Sequence, residues 1–284
     1  MQMIGGEAKA TVTQDMHHTD AAVMALHCSG SDSTQWQHLD TYLAQETELI
    51  VPTLAGAEAV TRGWSRKTYT LAEEAKPLVD ALHHHAAPMH LVGHSYGGAV
   101  ALHIARHHPE RVLSLCLYEP TSFSLLSHIN QGDRKLFDEI EALAVAIENA
   151  VAEGCPDFAA QVFTDFWGGV GTWQALRRDR RAGLIDWIPK CPLDFGALLY
   201  EPPGAALPAH LPVTLMVGTQ SQRQTQRIVQ LLRAETSQAS VVEVDGAGHL
   251  GPFTFRDRIA GHIRAHLQRV GKPMIAAGTV GREL

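Results

Sequence analysis

Six consecutive residues, Gly93-His94-Ser95-Tyr96-Gly97-Gly98, carry the most specific chemistry in the chain. They fit a G-x-S-x-G pattern, and at a strand-to-helix junction that pattern describes a sharp turn lifting one serine hydroxyl to the carboxyl end of a sheet. The junction is there: residues 89–92 read as a short buried strand, and residues 99–107 as a helix that stops before Pro109. Glycine is needed at 93 and 97 because a side chain would strike the neighbouring strand or helix backbone. The turn itself holds Ser95 in a sparsely populated conformation. The helix that follows points its N-terminus at the serine, leaving the backbone N–H of Tyr96 available to a developing negative charge.

A serine hydroxyl is a poor nucleophile at neutral pH, so this chemistry demands a base, and histidine has the pKa for the task. There are 17 histidines to choose from. His83-His84-His85 and His107-His108 fall at predicted helix ends, where cationic side chains favour the dipole, and His17-His18 lies in a weakly patterned start. His249 differs: it stands in Gly246-Ala247-Gly248-His249 just after a short strand, on a loop past the carboxyl end of the sheet. Loops at that edge of an α/β sheet carry the sites, which makes His249 the candidate base.

The elements that must hold these residues alternate. Short apolar runs at 21–28, 48–54, 89–92 and 112–118 are separated by helical patterns at 36–45, 71–82 and 99–107, the mark of an α/β fold with a mostly parallel sheet. From 121 to 208 the alternation ceases in favour of consecutive helices, at 134–153, 156–167, 173–188 and 193–200. The rhythm resumes with strands at 213–217 and 240–245 and helices at 224–235 and 256–270. The expected organisation is a core of residues 1–120 and 209–270, an inserted helical cap at 121–208, and a loose tail at 271–284.

Composition narrows the function further. At 284 residues and 45% hydrophobic, the chain has enough apolar material for a large core. Lys+Arg 23 against Asp+Glu 30 leaves no positive excess for a nucleic acid or an anionic membrane. No apolar run approaches the ~20 residues of a membrane span, and residues 1–19 lack the pattern of a secretory signal, so the expected compartment is the cytoplasm. The 4 cysteines, Cys28, Cys116, Cys155 and Cys191, form no CxxC pair and read as reduced thiols.

His27 and Trp36 after the first strand, the Ser95 turn, the helical insertion and the His249 loop together resemble the α/β-hydrolase fold superfamily, over residues 21–270. The resemblance is closest to its cap-bearing branch, which holds carboxylesterases, lactonases, carbon–carbon bond hydrolases, cofactor-free haloperoxidases, epoxide hydrolases and haloalkane dehalogenases. Serine in the turn sets aside the last two, which use aspartate there. The resemblance implies an oxyanion hole built from the backbone N–H groups of Ser29 and Tyr96. Here Cys28 stands where the family usually has glycine, and misaiming one such donor costs ~10²–10³ in rate.

In much of the superfamily the histidine is oriented by an aspartate just after the strand that follows the cap. Here that position reads Gly218-Thr219-Gln220-Ser221, with no carboxylate. The remaining candidates are Glu119, at the end of the strand beside the nucleophile strand, and Asp245, before the histidine loop. Glu119 is preferred, because some branches place the acid there and Pro120 restricts its backbone. The opening hairpin usual in the family could fit within residues 1–19 only in reduced form.

The cap is rich in aromatic residues, among them Phe123, Phe163, Phe166, Trp167, Trp173, Trp187 and Phe195. More than half of its large apolar residues are expected to pack helix on helix, with the rest lining an apolar pocket for a small hydrophobic substrate. Arg177, Arg178, Arg180 and Arg181 read as a solvated helix face. The resemblance thus implies a serine hydrolase of esters, thioesters or lactones with Ser95, His249 and Glu119 at its centre and no metal or organic cofactor. Two alternatives stay open: a hydrolase of the carbon–carbon bond of a vinylogous diketone, and a lapsed enzyme that binds small ligands.

Overall fold

The computed structural model describes residues 22–271 except Glu46 and His128. The expected tail beyond Gly271 and the expected hairpin in residues 1–19 lie outside the described residues. Strands β1 (Val23–Leu26), β2 (Leu49–Ile50), β3 (Met89–His94), β4 (Val112–Tyr118), β5 (Val213–Gly218) and β6 (Ala239–Val244) form one sheet, in the order β2-β1-β3-β4-β5-β6. Every pairing is parallel, as an α/β fold requires.

The sheet is covered on both faces, which explains its apolar strands. Met24 and Leu26 of β1 join a large cluster with helices α2 (Leu71–His84) and α3 (Tyr96–His107). Val23 and Ala25 face the other way, towards Trp36, Leu39 and helix α11 (Arg256–Val270), following the two-residue period of a strand. Helix α9 (Arg223–Glu235) packs on β5 and β6.

Between β4 and β5 the regular elements are all helical: α4 (Gln131–Ala152), α5 (Pro156–Gly168), α6 (Thr172–Ala175), α7 (Arg178–Trp187) and α8 (Cys191–Leu199), with short 3-10 turns at Phe123–Leu126 and Ile188–Lys190. Pro156 occupies the first turn of α5, where its missing N–H costs nothing. No helix among the described residues is long and apolar enough to cross a membrane.

Three expectations need correction. The helix predicted over 36–45 is instead a pair of 3-10 turns, Ser33–Gln35 and Gln37–Thr41. Asp32 caps the first through Thr34 N–H at 2.8 Å, and the Trp36 indole N–H donates to the Leu26 carbonyl at 2.9 Å, tying the segment to β1. The strand predicted over 48–54 pairs only at Leu49–Ile50, because beyond it the Leu54 and Ala55 N–H groups bond to His27 and Glu74 side chains. The helix predicted over 173–188 breaks at Leu176 and Arg177, whose extended backbones separate α6 from α7 and bring Leu176 to a cavity wall. Sequence periodicity also passed over two one-turn helices, α1 (Glu58–Thr61) and α10 (Gly251–Thr254).

Candidate active site

Ser95 sits between β3 and α3 at φ 55°, ψ −117°, one of two non-glycine residues with positive φ among the described residues. A Cβ on Gly93 would lie 2.7 Å from the Gly97 carbonyl oxygen, and one on Gly97 would strike the Leu26 and His27 carbonyls. The turn is pinned by its own backbone, since Ser95 N–H donates to the Tyr118 carbonyl at 3.0 Å and Thr121 N–H donates to the Ser95 carbonyl at 3.2 Å.

The second positive-φ residue is Glu119, at 44°, directly after β4. Its carboxylate is completely buried, and one oxygen lies 2.8 Å from His249 Nδ1. The other oxygen accepts Gly218 N–H at 2.8 Å and the Ser221 hydroxyl. The turn after β5 that lacks a carboxylate therefore supplies donors to one that arrives from β4. Burial alone would raise the Glu119 pKa, but the His249 contact and these two donors together hold it below the usual carboxylate value.

His249 Nε2 is 2.9 Å from Ser95 Oγ. With a carboxylate at Nδ1, that nitrogen carries the proton and Nε2 presents its lone pair to the serine hydroxyl. The Trp167 ring of α5 stacks on the imidazole, with centroids 4.0 Å apart. Asp245, the other sequence candidate, is exposed and accepts the Thr219 hydroxyl at 3.3 Å. The structure thus brings Ser95, His249 and Glu119 into one hydrogen-bonded row.

Ser29 and Tyr96 flank this row. Ser29 lines the cavity over Ser95 together with Cys28 and Gly30, and Tyr96 opens α3. Cys28 replaces glycine without freeing the loop. Leu54 N–H donates to His27 Nε2 at 2.9 Å, so His27 Nδ1–H donates to the Cys28 carbonyl at 2.8 Å. Because the peptide is planar and trans, fixing that carbonyl fixes the direction of Ser29 N–H. Burial pushes the Cys28 thiol up to about 12, far from a nucleophilic thiolate.

The cavity is about 360 Å³, its wall drawn from both the sheet edge and the inserted helices: Phe123, Phe163, Trp167, Phe195 and Leu198 beside Ser95 and His249. Two polar features there escaped the sequence reading. The first is a buried cluster in which Lys190 donates to Glu74 at 2.7 Å and to Asp194 at 2.5 Å, while the Ser29 hydroxyl donates to the second Asp194 oxygen at 2.5 Å. Burial raises Asp194 to about 6 against the pull of Lys190. Lys190 and Asp194, four apart on one helical face, were the available signal. The second is Arg180, which reaches the cavity wall and donates to the Gly30 carbonyl at 3.1 Å, unlike Arg177, which pairs with Asp179. Among the described residues, one group of side chains has donor atoms close enough to share a metal ion, the largely exposed His83, His108 and Glu110. It lies at the far end of α3 from Ser95.

Residues 23–262 match the model of the alpha/beta hydrolase family, and the chain belongs to that family. Solved structures of the same fold include a thermophilic esterase from Thermogutta terrifontis, 20% identical with a TM-score of 0.62, covering 89% of this chain and 92% of that one. An enol-lactonase from Burkholderia xenovorans is 16% identical at a TM-score of 0.63, covering 89% and 93%. MenH from S. aureus is 15% identical at 0.69, covering 89% and 96%. Among curated proteins, the dihydrolipoyllysine-residue acetyltransferase component of the acetoin cleaving system of Pseudomonas putida is 37% identical over 99 residues, 34% of this chain. The chain spans only 25% of that relative's length.

Proposed function

We propose that the protein is a serine hydrolase that cleaves an ester, thioester or lactone of a small, mostly apolar substrate through an acyl-enzyme. The observation that carries this reading is the row Glu119–His249–Ser95, with contacts of 2.8 and 2.9 Å, opening on an apolar cavity. Ser95 Oγ attacks the substrate carbonyl while its proton passes to His249 Nε2, and Glu119 stabilises the imidazolium. The tetrahedral oxyanion is held by the N–H groups of Ser29 and Tyr96. Collapse breaks the bond to the leaving group, which takes the proton from His249. Water, deprotonated by His249, then attacks the acyl-enzyme, and Ser95 leaves with its proton restored. Helices α4–α8, within the stretch 121–208, act as a cap that shapes the pocket.

The test is intact-protein mass spectrometry after treatment with a fluorophosphonate, followed by turnover of short aryl esters and lactones. Stoichiometric phosphonylation that disappears in Ser95→Ala is the expected result. A wild-type protein that stays unlabelled and turns over neither substrate overturns the proposal in favour of ligand binding.

A further inference from the structure

Two residues of the site stand directly after partners in the sheet. His94 and Tyr118 are register partners at the ends of β3 and β4, and the next residues are Ser95 and Glu119. Both partners reach the loop that carries His249. The Tyr118 hydroxyl donates to the Gly248 carbonyl at 2.7 Å, and His94 Nε2 lies 2.9 Å from the His249 carbonyl. A Cβ on Gly251 would collide with the Tyr118 hydroxyl, so the loop's glycine is fitted to this contact.

The direction of the chain behind His94 follows from its ends. Cys28 N–H is a donor, so the Gln35 oxygen accepts it, at 3.0 Å, and the Gln35 amide nitrogen faces His94 Nδ1, also at 3.0 Å. That nitrogen can only donate, so Nδ1 accepts and the His94 proton sits on Nε2, aimed at the His249 carbonyl. His94 is fully buried and Gln35 nearly so. Burial lowers the His94 pKa well below its ordinary value, consistent with a neutral ring.

We propose that His94 and Tyr118 are positioning residues that clamp two successive carbonyls of the His249 loop, and that Gln35 carries the clamp on to the Cys28 backbone beside Ser29. One directed chain then couples the placement of the base to that of the oxyanion loop, and each anchor stands directly before a residue of the triad. The inference rests on the hydrolase reading for its kinetic consequence, but not for its structural one.

The test uses Tyr118→Phe, His94→Gln, His94→Leu and Gln35→Leu in the full chain. Gln can return an amide N–H near the place of Nε2–H, whereas Leu cannot. Displacements of ~1 Å in a reacting group cost about 10²-fold. With an aryl ester, Tyr118→Phe and Gln35→Leu should lower kcat about 10- to 100-fold at nearly constant KM. His94→Leu should lose about 100-fold or more, and His94→Gln should recover most of it. Hydrogen exchange read by mass spectrometry should rise in residues 246–251 of Tyr118→Phe and His94→Leu. An unchanged exchange rate there, or equal kcat losses in His94→Gln and His94→Leu, overturns the clamp. An inert wild type with loosened loop exchange in the variants overturns the hydrolase reading while leaving the clamp standing.

Discussion

Glu119→Gln changes one atom and leaves the shape, so it isolates the charge that orients His249. Two donors, Gly218 N–H and the Ser221 hydroxyl, meet one carboxylate oxygen, and His249 Nδ1 meets the other. A glutamine satisfies the two donors only with its carbonyl oxygen, which turns its NH₂ towards His249. Nδ1 must then accept, the imidazole proton moves to Nε2, and the ring presents a proton to Ser95 in place of a lone pair. Flipping the amide restores the His249 contact but sets NH₂ against the buried Gly218 N–H, which can only donate, at about 1–3 kcal/mol for the group left unmade. Loss of the correct tautomer at an equivalent serine-protease aspartate costs about 10⁴ in kcat, or about 5 kcal/mol of transition-state stabilisation. The assay is kcat on an aryl ester beside the rate of fluorophosphonate capture, with urea unfolding as the control for folding. Both rates should fall by about 10³–10⁴ in a folded protein. A loss under about tenfold would refute Glu119 as the orienting acid.

Two further perturbations read the surroundings of the site. Lys190→Met strips the cation from buried Glu74 and Asp194 and should cost about 3–5 kcal/mol in urea unfolding; a loss under 1 kcal/mol would show the cluster contributes no net pairing. Near the amino-terminal ends of the central strands β3 and β4, His90 and His266 share the Ser114 hydroxyl at 2.7 and 2.8 Å, and burial lowers them to about 4 and about 3 from an ordinary 6.5. The unfolded chain therefore binds more protons, and stability, flat above about pH 7, should fall as pH drops from 6.5 towards those values, by about 2 kcal/mol per histidine at pH 5. Urea midpoints at pH 7.5 and 5.0 check this, and a His266→Asn variant with the same slope as wild type would count against it.

What could be read from the sequence was chemistry bound to local backbone demands. Gly93 and Gly97 announce a turn that tolerates no side chain at either position, and Ser95 is the residue that turn holds. Residues 218–221 offer no carboxylate, which leaves Glu119 and Asp245, and it is the family resemblance that favours Glu119. Lys190 could be read only in part: Asp194 four residues on was visible, but an i,i+4 pair of this kind looks solvated, and the buried partner Glu74 lies 116 positions away on α2. Gln35 was hidden for the same reason, since its meaning comes from His94, 59 residues on. The 3-10 turns after β1 depart from the periodic pattern because side-chain anchors, Asp32 on Thr34 N–H and the Trp36 indole on the Leu26 carbonyl, set the backbone there, whereas the break at 176–177 is two extended residues that an apolar period does not register.

The two positive-φ residues then have a common explanation. Each non-glycine residue held in that region costs of order 1–3 kcal/mol, so the surrounding structure must over-determine it. Ser95 N–H is held by the carbonyl of Tyr118 and Glu119 N–H by that of Met216, each on the next strand of the sheet. A positive φ is taken at the ends of two adjacent strands, after residues that are themselves in register. An acid placed after β5 would reach His249 from the strand next to the histidine's own. Glu119 stands instead at the end of β4, beside β3, the strand that leads into Ser95. Glu119 takes its positive φ there, and β5 with the turn that follows it, which holds no carboxylate, supplies the Gly218 N–H and the Ser221 hydroxyl to the Glu119 carboxylate. The positive φ of Glu119 is thus held in place by the Met216 carbonyl on its N–H and by the Gly218 N–H and Ser221 hydroxyl on its carboxylate.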